Sequence, residues 1–116
     1  MNQITKLDRL VHEPLRFAIV NALTVSRSLT FNDLKRLTQA TDGNLSVQSR
    51  RLEEGGYIKC SKSFEGRITK TKYKLTAKGT RAVDNYFIQL ETLVSSHRLN
   101  AIGRTVKKGI VESTKL

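Results

Sequence analysis

Apolar residues recur along this chain with two different periods, and the change of period divides it. Ile4, Leu7, Leu10 and Val11 lie three to four apart, the spacing of one or two amphipathic helical turns. Pro14 suits the first position of a new helix, where its missing N–H leaves no bond unmade. Leu15, Ala18, Ile19, Ala22 and Leu23 then predict a helix with one buried stripe. Ser26-Arg27-Ser28 interrupts that pattern, and Leu29-Thr30 suits a very short strand. Thr30 can cap a further helix, about 31–40, with Asp33 favouring its positive end and Phe31, Leu34 and Leu37 as its stripe. Thr41-Asp42-Gly43-Asn44 reads as a turn that becomes a helix start, with Asp42 or Thr41 accepting from the free N–H groups. In the helix that follows, about 43–54, only Leu45 and Leu52 are strongly apolar and inward, with Ser49 between them. Gly55-Gly56 ends it.

Beyond Gly56 the period becomes two. Ile58 and Cys60 alternate with Lys59 and Ser61. After a turn around Glu65-Gly66-Arg67, Thr69, Thr71, Tyr73 and Leu75 share one face of a second strand, and Lys70, Lys72 and Lys74 the other. Thr76 caps a last helix, about 77–95, with Val83, Phe87, Leu90 and Val94 spaced 4-3-4 and Tyr86 and Leu93 beside them. A heptad-like seam of this kind predicts pairing with a second copy as well as packing on the first amphipathic segment. The candidate dimer contacts are therefore Ile4, Leu7, Val83, Tyr86, Phe87, Leu90 and Val94. In 97–116, Leu99, Ile102, Val106 and Ile110 keep helical spacing while Gly103 and Gly109 weaken it, so a short helix and a mobile basic tail both stay open. The division expected is a domain over 1–95, terminal helices included, and a basic extension over 96–116.

The order helix, short strand, helix, helix, hairpin, helix matches a winged helix-turn-helix: an α+β fold, mostly helical, with a two-stranded β-hairpin wing. The length of 116 residues fits one domain, and 38% hydrophobic residues allow a modest core. The net charge of +11 is unevenly spread. Residues 50–74 hold eight basic groups against three acidic ones, net +5 in 25 residues, the highest density in the chain. Such clustering points to a polyanion, with nucleic acid ahead of a membrane surface.

Four stretches carry a closer resemblance: Thr41-Asp42-Gly43-Asn44-Leu45-Ser46, Leu52-Glu53-Glu54-Gly55-Gly56-Tyr57-Ile58, Lys62-Ser63-Phe64-Glu65-Gly66-Arg67 and Thr71-Lys72-Tyr73-Lys74-Leu75-Thr76. With the opening Leu7-Asp8-Arg9-Leu10-Val11-His12-Glu13-Pro14, they resemble, over about residues 5–94, a small winged-helix regulator family related to MarR and ArsR proteins. The resemblance implies a prokaryotic homodimer joined by terminal helices, with one DNA-reading helix and one wing per subunit. It would act as a sequence-specific transcriptional regulator, most simply a repressor.

In such a motif the second helix enters the major groove. Asn44, Ser46, Val47 and Gln48 occupy its first turns; Gln48 suits adenine N6 and N7, and Val47 a thymine methyl. Arg50 and Arg51 suit phosphates, with one of them in reach of guanine. Thr41 and the N–H groups near Gly43 suit a phosphate at the helix's positive end. Arg67 at the wing tip suits a minor groove, with Lys62, Lys70 and Lys72 along the backbone. The partner expected is double-stranded DNA, with no cofactor and no metal. His12 and His97 lie at opposite ends, and no nucleophile elbow, phosphate loop or metal-spaced Cys/His cluster suggests an enzyme. No apolar run reaches the roughly 18 residues of a membrane span, and the single Cys60 fits a reducing cytosol, so a cytoplasmic, nucleoid-associated protein is expected. Two other readings remain: non-specific, architectural DNA binding, and a winged helix used for protein–protein contact.

Overall fold

The computed structural model describes residues 7–114, with side chains up to Arg104, so Ile4 lies outside the described residues. The elements run α1 (Pro14–Val25), β1 (Leu29–Thr30), α2 (Phe31–Thr38), α3 (Asp42–Glu54), β2 (Ile58–Glu65), β3 (Ile68–Leu75) and α4 (Ala77–Thr114). The three strands form one antiparallel sheet in the order β1-β3-β2. This is a winged helix, mostly helical with a hairpin wing.

Each boundary has a local cause. Glu13 caps α1, its carboxylate accepting from the amides of Leu15 (3.2 Å) and Arg16 (2.7 Å), with Pro14 in the first turn. Thr30 closes β1 and caps α2 in a reciprocal box: its hydroxyl accepts from the Asp33 amide and its own amide donates to the Asp33 carboxylate, both at 3.0 Å. Those bonds, the one from the Thr30 amide foremost, hold the Asp33 carboxyl below its ordinary pKa. Helix α2 ends on Gln39 in a left-handed conformation, φ 60°, which turns the chain sharply into α3. At the wing tip only Gly66 takes positive φ (64°) in the two-residue loop Gly66-Arg67, the pattern of a II′ hairpin turn, and the register Glu65↔Ile68 follows.

Two of the expected elements differ. Residues 7–13 form turns and bends, where an amphipathic helix was expected. The Asp8 carboxylate takes the amides of Leu10 (2.9 Å) and Val11 (3.1 Å), offering the backbone an alternative to helix, and Leu7 and Val11 are buried from this turn all the same. Helix α4 runs past Ser95 without a break to Thr114. Gly103 faces open space and costs only about 1 kcal/mol relative to alanine, too little to stop a helix whose apolar spacing persists.

The core joins Ile19, Val20 and Leu23 of α1 to Leu34 of α2, Leu45 and Leu52 of α3, Ile58 and Tyr73 of the sheet, and Val83 and Tyr86 of α4. The inward stripe of α1 is rotated from the one expected: Arg16, Ile19, Val20 and Leu23 are buried, while Leu15, Ala18 and Ala22 are only half so. The wing base is tied to the N-terminal turn by the Tyr57 hydroxyl, which donates to Asp8; burial foremost, then that carboxylate, push the Tyr57 pKa up to about 12. Thr76 caps α4 through the Gly79 amide (2.9 Å) and donates to the Gly56 carbonyl (2.6 Å).

Gly79 is where α4 meets the wing base most closely, since a Cβ there would run into the backbone carbonyl of Tyr57. Gly79→Ala is therefore expected to cost about 1–3 kcal/mol despite alanine's better helix propensity, read as a lower denaturation midpoint. An unchanged or higher midpoint would show that the contact is loose.

Candidate nucleic-acid interface

Helix α3 buries Leu45, Ser49 and Leu52 and leaves the rest of its surface outward. At 100° per residue, Gly43, Val47, Arg50 and Glu54 lie farthest from the core, Ser46 and Glu53 lie on one flank, and Asn44, Gln48 and Arg51 lie on the other. Asn44, Ser46, Val47, Arg50 and Arg51 are exposed; Gln48 is half-buried. Thr41 caps the helix by accepting from the Asn44 amide at 3.2 Å, which takes up one of the donors a phosphate would use. Asp42 stands in the same first turn, paired with Lys35 of α2 at 2.7 Å, so the helix's positive end already has a carboxylate beside it.

Sequence reasoning missed Arg16. It lies on α1, is only 8% exposed, and reaches four groups. Its Nε donates to the Leu10 carbonyl (2.6 Å), its Nη1 to Gln48 Oε1 (2.5 Å) and its Nη2 to the Arg9 carbonyl (3.4 Å), with Glu13 at 3.9 Å. Gln48 Nε2 in turn donates to Asn44 Oδ1 at 3.3 Å. The signal available in the sequence was phase: Arg16 precedes Ile19, Val20 and Leu23 by three, four and seven positions.

The wing divides its lysines between two faces. Register puts Lys62 beside Phe64, Thr69 and Thr71 on the face shared with Tyr73 and Ile58, whereas Lys59, Lys70, Lys72 and Lys74 lie on the other. Lys70 is paired with Glu65 at 2.8 Å, and Lys59 stands directly across from Lys74. Arg67 is exposed at the tip, between the exposed Phe64 and Ile68. Cys60 is half-buried, and burial foremost pushes its thiol pKa up, away from a reactive thiolate.

Of the residues expected to form a dimer seam, Leu7, Val83 and Tyr86 are buried inside the chain itself. Tyr86 packs on Phe17 (5.5 Å between ring centroids), and its hydroxyl lies 2.7 Å from His12 Nδ1. Those three are spent on the protomer's own core, because the N-terminal turn and α1 reach them first. Phe87, Leu90 and Val94 remain at least partly open.

A short helix joined by a tight turn to a second helix with a polar outer face that carries Arg50 and Arg51, flanked by a lysine-bearing hairpin, matches over residues 15–94 the family model described as a winged helix DNA-binding domain. The chain belongs to this winged helix DNA-binding family. It is 43% identical, over 61 residues, to an uncharacterized protein of Methanocaldococcus jannaschii; that stretch is 52% of this chain and 65% of the relative's length. The winged helix superposes on a transcriptional regulator homologue from Pyrococcus horikoshii OT3 with a TM-score of 0.77 at 22% identity, covering 83% of this chain and 97% of that one. It also superposes on Bacillus subtilis PadR, solved in complex with operator DNA, with a TM-score of 0.60 at 20% identity, covering 66% of this chain and 49% of that one. At these identities the likeness is one of fold. Among the described residues, no helix of this winged-helix chain is long and apolar enough to cross a membrane.

Within α3, the Ser49 hydroxyl is buried with no hydrogen-bond partner. Ser49→Ala removes a desolvated polar group and leaves helix and core shape intact. It is expected to leave stability unchanged or to raise it by about 1 kcal/mol in a denaturant melt. A fall of that size would mean the hydroxyl has found a partner.

Proposed function

We propose that this chain is a sequence-specific transcriptional regulator that binds duplex DNA as a homodimer, with α3 in the major groove and the wing on the backbone or in the minor groove. The carrying observation is the outer face of α3, where Asn44, Ser46, Val47, Arg50 and Arg51 are all exposed on the second helix of a winged helix-turn-helix. Amides and hydroxyls match base edges, and guanidinium groups match phosphates and guanine. The wing adds Arg67 at its tip, Lys62 on one face and Lys70 and Lys72 on the other, so a backbone passing either side of the ribbon meets positive charge. Lys59 opposite Lys74 supports the same reading, since like charges directly across a sheet repel unless an anion lies over them.

The homodimer reading rests on α4. Its 38 residues would extend about 57 Å at helical rise, and between Ser95 and Arg104 every side chain but that of Ala101 is exposed. Phe87, Leu90 and Val94 form a 3-4 spaced seam that continues outward past the protomer's own core, and Leu99 and Ile102 stay 68% and 59% exposed farther along. A solvated helix gains nothing from such a seam, whereas a second copy would cover it. If the bound sites overlap a promoter, repression by occlusion follows. The architectural alternative draws on exposed Arg98 and Arg104 along the same helix, and competition between random and genomic DNA at fixed salt separates the two.

Two experiments test the proposal. Footprinting on genomic DNA is expected to show paired half-sites about one helical turn, roughly 34–36 Å, apart. Arg50→Ala and Arg67→Ala are expected to weaken binding across sequences and to lower the slope of log affinity against log salt by about 1 each. Binding insensitive to salt would favour a protein partner instead. In sedimentation at micromolar concentration the chain is expected to run as a dimer and Val94→Glu as a monomer; a monomeric native chain would refute the homodimer.

A further inference from the structure

Arg16 does more than fill a place in the core. A guanidinium stays protonated at any ordinary pH and has donors only. With Arg16 buried and Nη1 against Gln48, the Gln48 amide has one workable orientation: Oε1 inward as acceptor, Nε2 outward as donor. The reversed amide would set N–H against N–H. Nε2 has two hydrogens. One goes to Asn44 Oδ1 and the other stays outward. Asn44 Oδ1 accepts that bond and, as an amide oxygen with two lone pairs, keeps room for one more. Arg16, Gln48 and Asn44 thus form a relay in which the buried guanidinium turns the Gln48 oxygen inward and leaves Nε2 as the outward group of Gln48.

We infer that Arg16 is a positioning residue for base recognition, and that Gln48 on this flank of α3 selects base edges rich in acceptors, guanine before adenine. This rests on the major-groove placement of α3 proposed above. A glutamine reading adenine must accept from N6–H₂ through Oε1 while donating to N7. Here Oε1 is turned onto the buried Arg16, so it does not lie beside Nε2 along a base edge, as the adenine pairing that the residue type alone suggests requires, while that charge-assisted bond is kept. Guanine offers N7 and O6, both acceptors, and thymine offers O4. Cytosine, with its N4–H₂ donor, finds no outward acceptor on Gln48.

Selection of bound sequences from a randomised duplex library by the full-length chain tests this, read at the position whose enrichment changes on Gln48→Ala. The native chain is expected to enrich guanine over adenine there by roughly tenfold or more. Gln48→Glu keeps an acceptor for Arg16 but turns the outward atom from donor to acceptor, so the same position is expected to shift toward cytosine. Arg16→Lys keeps the charge but drops the planar fork. It is expected to narrow the guanine-to-adenine ratio severalfold while leaving affinity for random duplex within about twofold, which a purely structural arginine would not do. Adenine enrichment by the native chain, or an unchanged preference in Gln48→Glu, overturns the relay while leaving sequence-specific binding intact. Uniform enrichment of all sequences overturns the sequence-specific reading and the relay with it.

Discussion

The arrangement turns on a positive charge held where water hardly reaches. Arg16 sits among Ile19, Val20 and Leu23 on the inward side of α1, and its guanidinium is kept there by carbonyls of the N-terminal turn, by a glutamine of α3 and by the nearby carboxylate of Glu13. A buried charge is tolerated only when its donors are answered, and removing a partner from such a group commonly costs about 3–5 kcal/mol. One side chain therefore fixes the relative position of three segments that the hydrophobic effect, being non-directional, would only press together. The leucines supply the compaction; the guanidinium supplies the registry.

Around that point α3 is held in several ways. Leu45 and Leu52 lock it to the core, the left-handed turn at Gln39 sets its angle to α2, and the pair Lys35–Asp42 bridges that turn. An exposed pair of this kind adds little energy, so the angle belongs to the turn and the leucines. The wing is positioned separately. Tyr73 and Ile58 anchor its base in the core, Tyr57 ties it to Asp8, and Gly66 lets the two strands reverse in two residues. Helix and wing are thus separate projections from one scaffold, the arrangement that the proposed two-point grip on a duplex would require.

What the sequence made legible was whatever is decided locally. Thr30 with Asp33, Pro14 after a carboxylate, Thr41 ahead of α3, and Gly66 between two alternating runs are settled within four residues, and each element stands where those signals put it. The inward stripe of α3, with its odd serine, was equally legible because 100° per residue leaves little choice. What escaped was set by contacts distant in sequence. Arg16 looks like any solvated arginine until Gln48, 32 positions later, is seen to face it. Tyr86 looks like part of a seam until Phe17 and His12 are found against it, and Val83 until it proves to be buried in the protomer's own core. The turn at 7–13 was misjudged because Asp8 competes for amides that apolar spacing alone assigns to a helix.

The facing lysines at the wing base carry one more consequence. In the unbound protein, dissolved counter-ions are what soften the repulsion between Lys59 and Lys74, so higher ionic strength should steady the ribbon. In the complex proposed above, the same ions would compete with the ribbon for phosphates and loosen its hold. The wing would then respond in opposite ways to its ionic surroundings when free and when engaged, and the duplex would lend it part of its order.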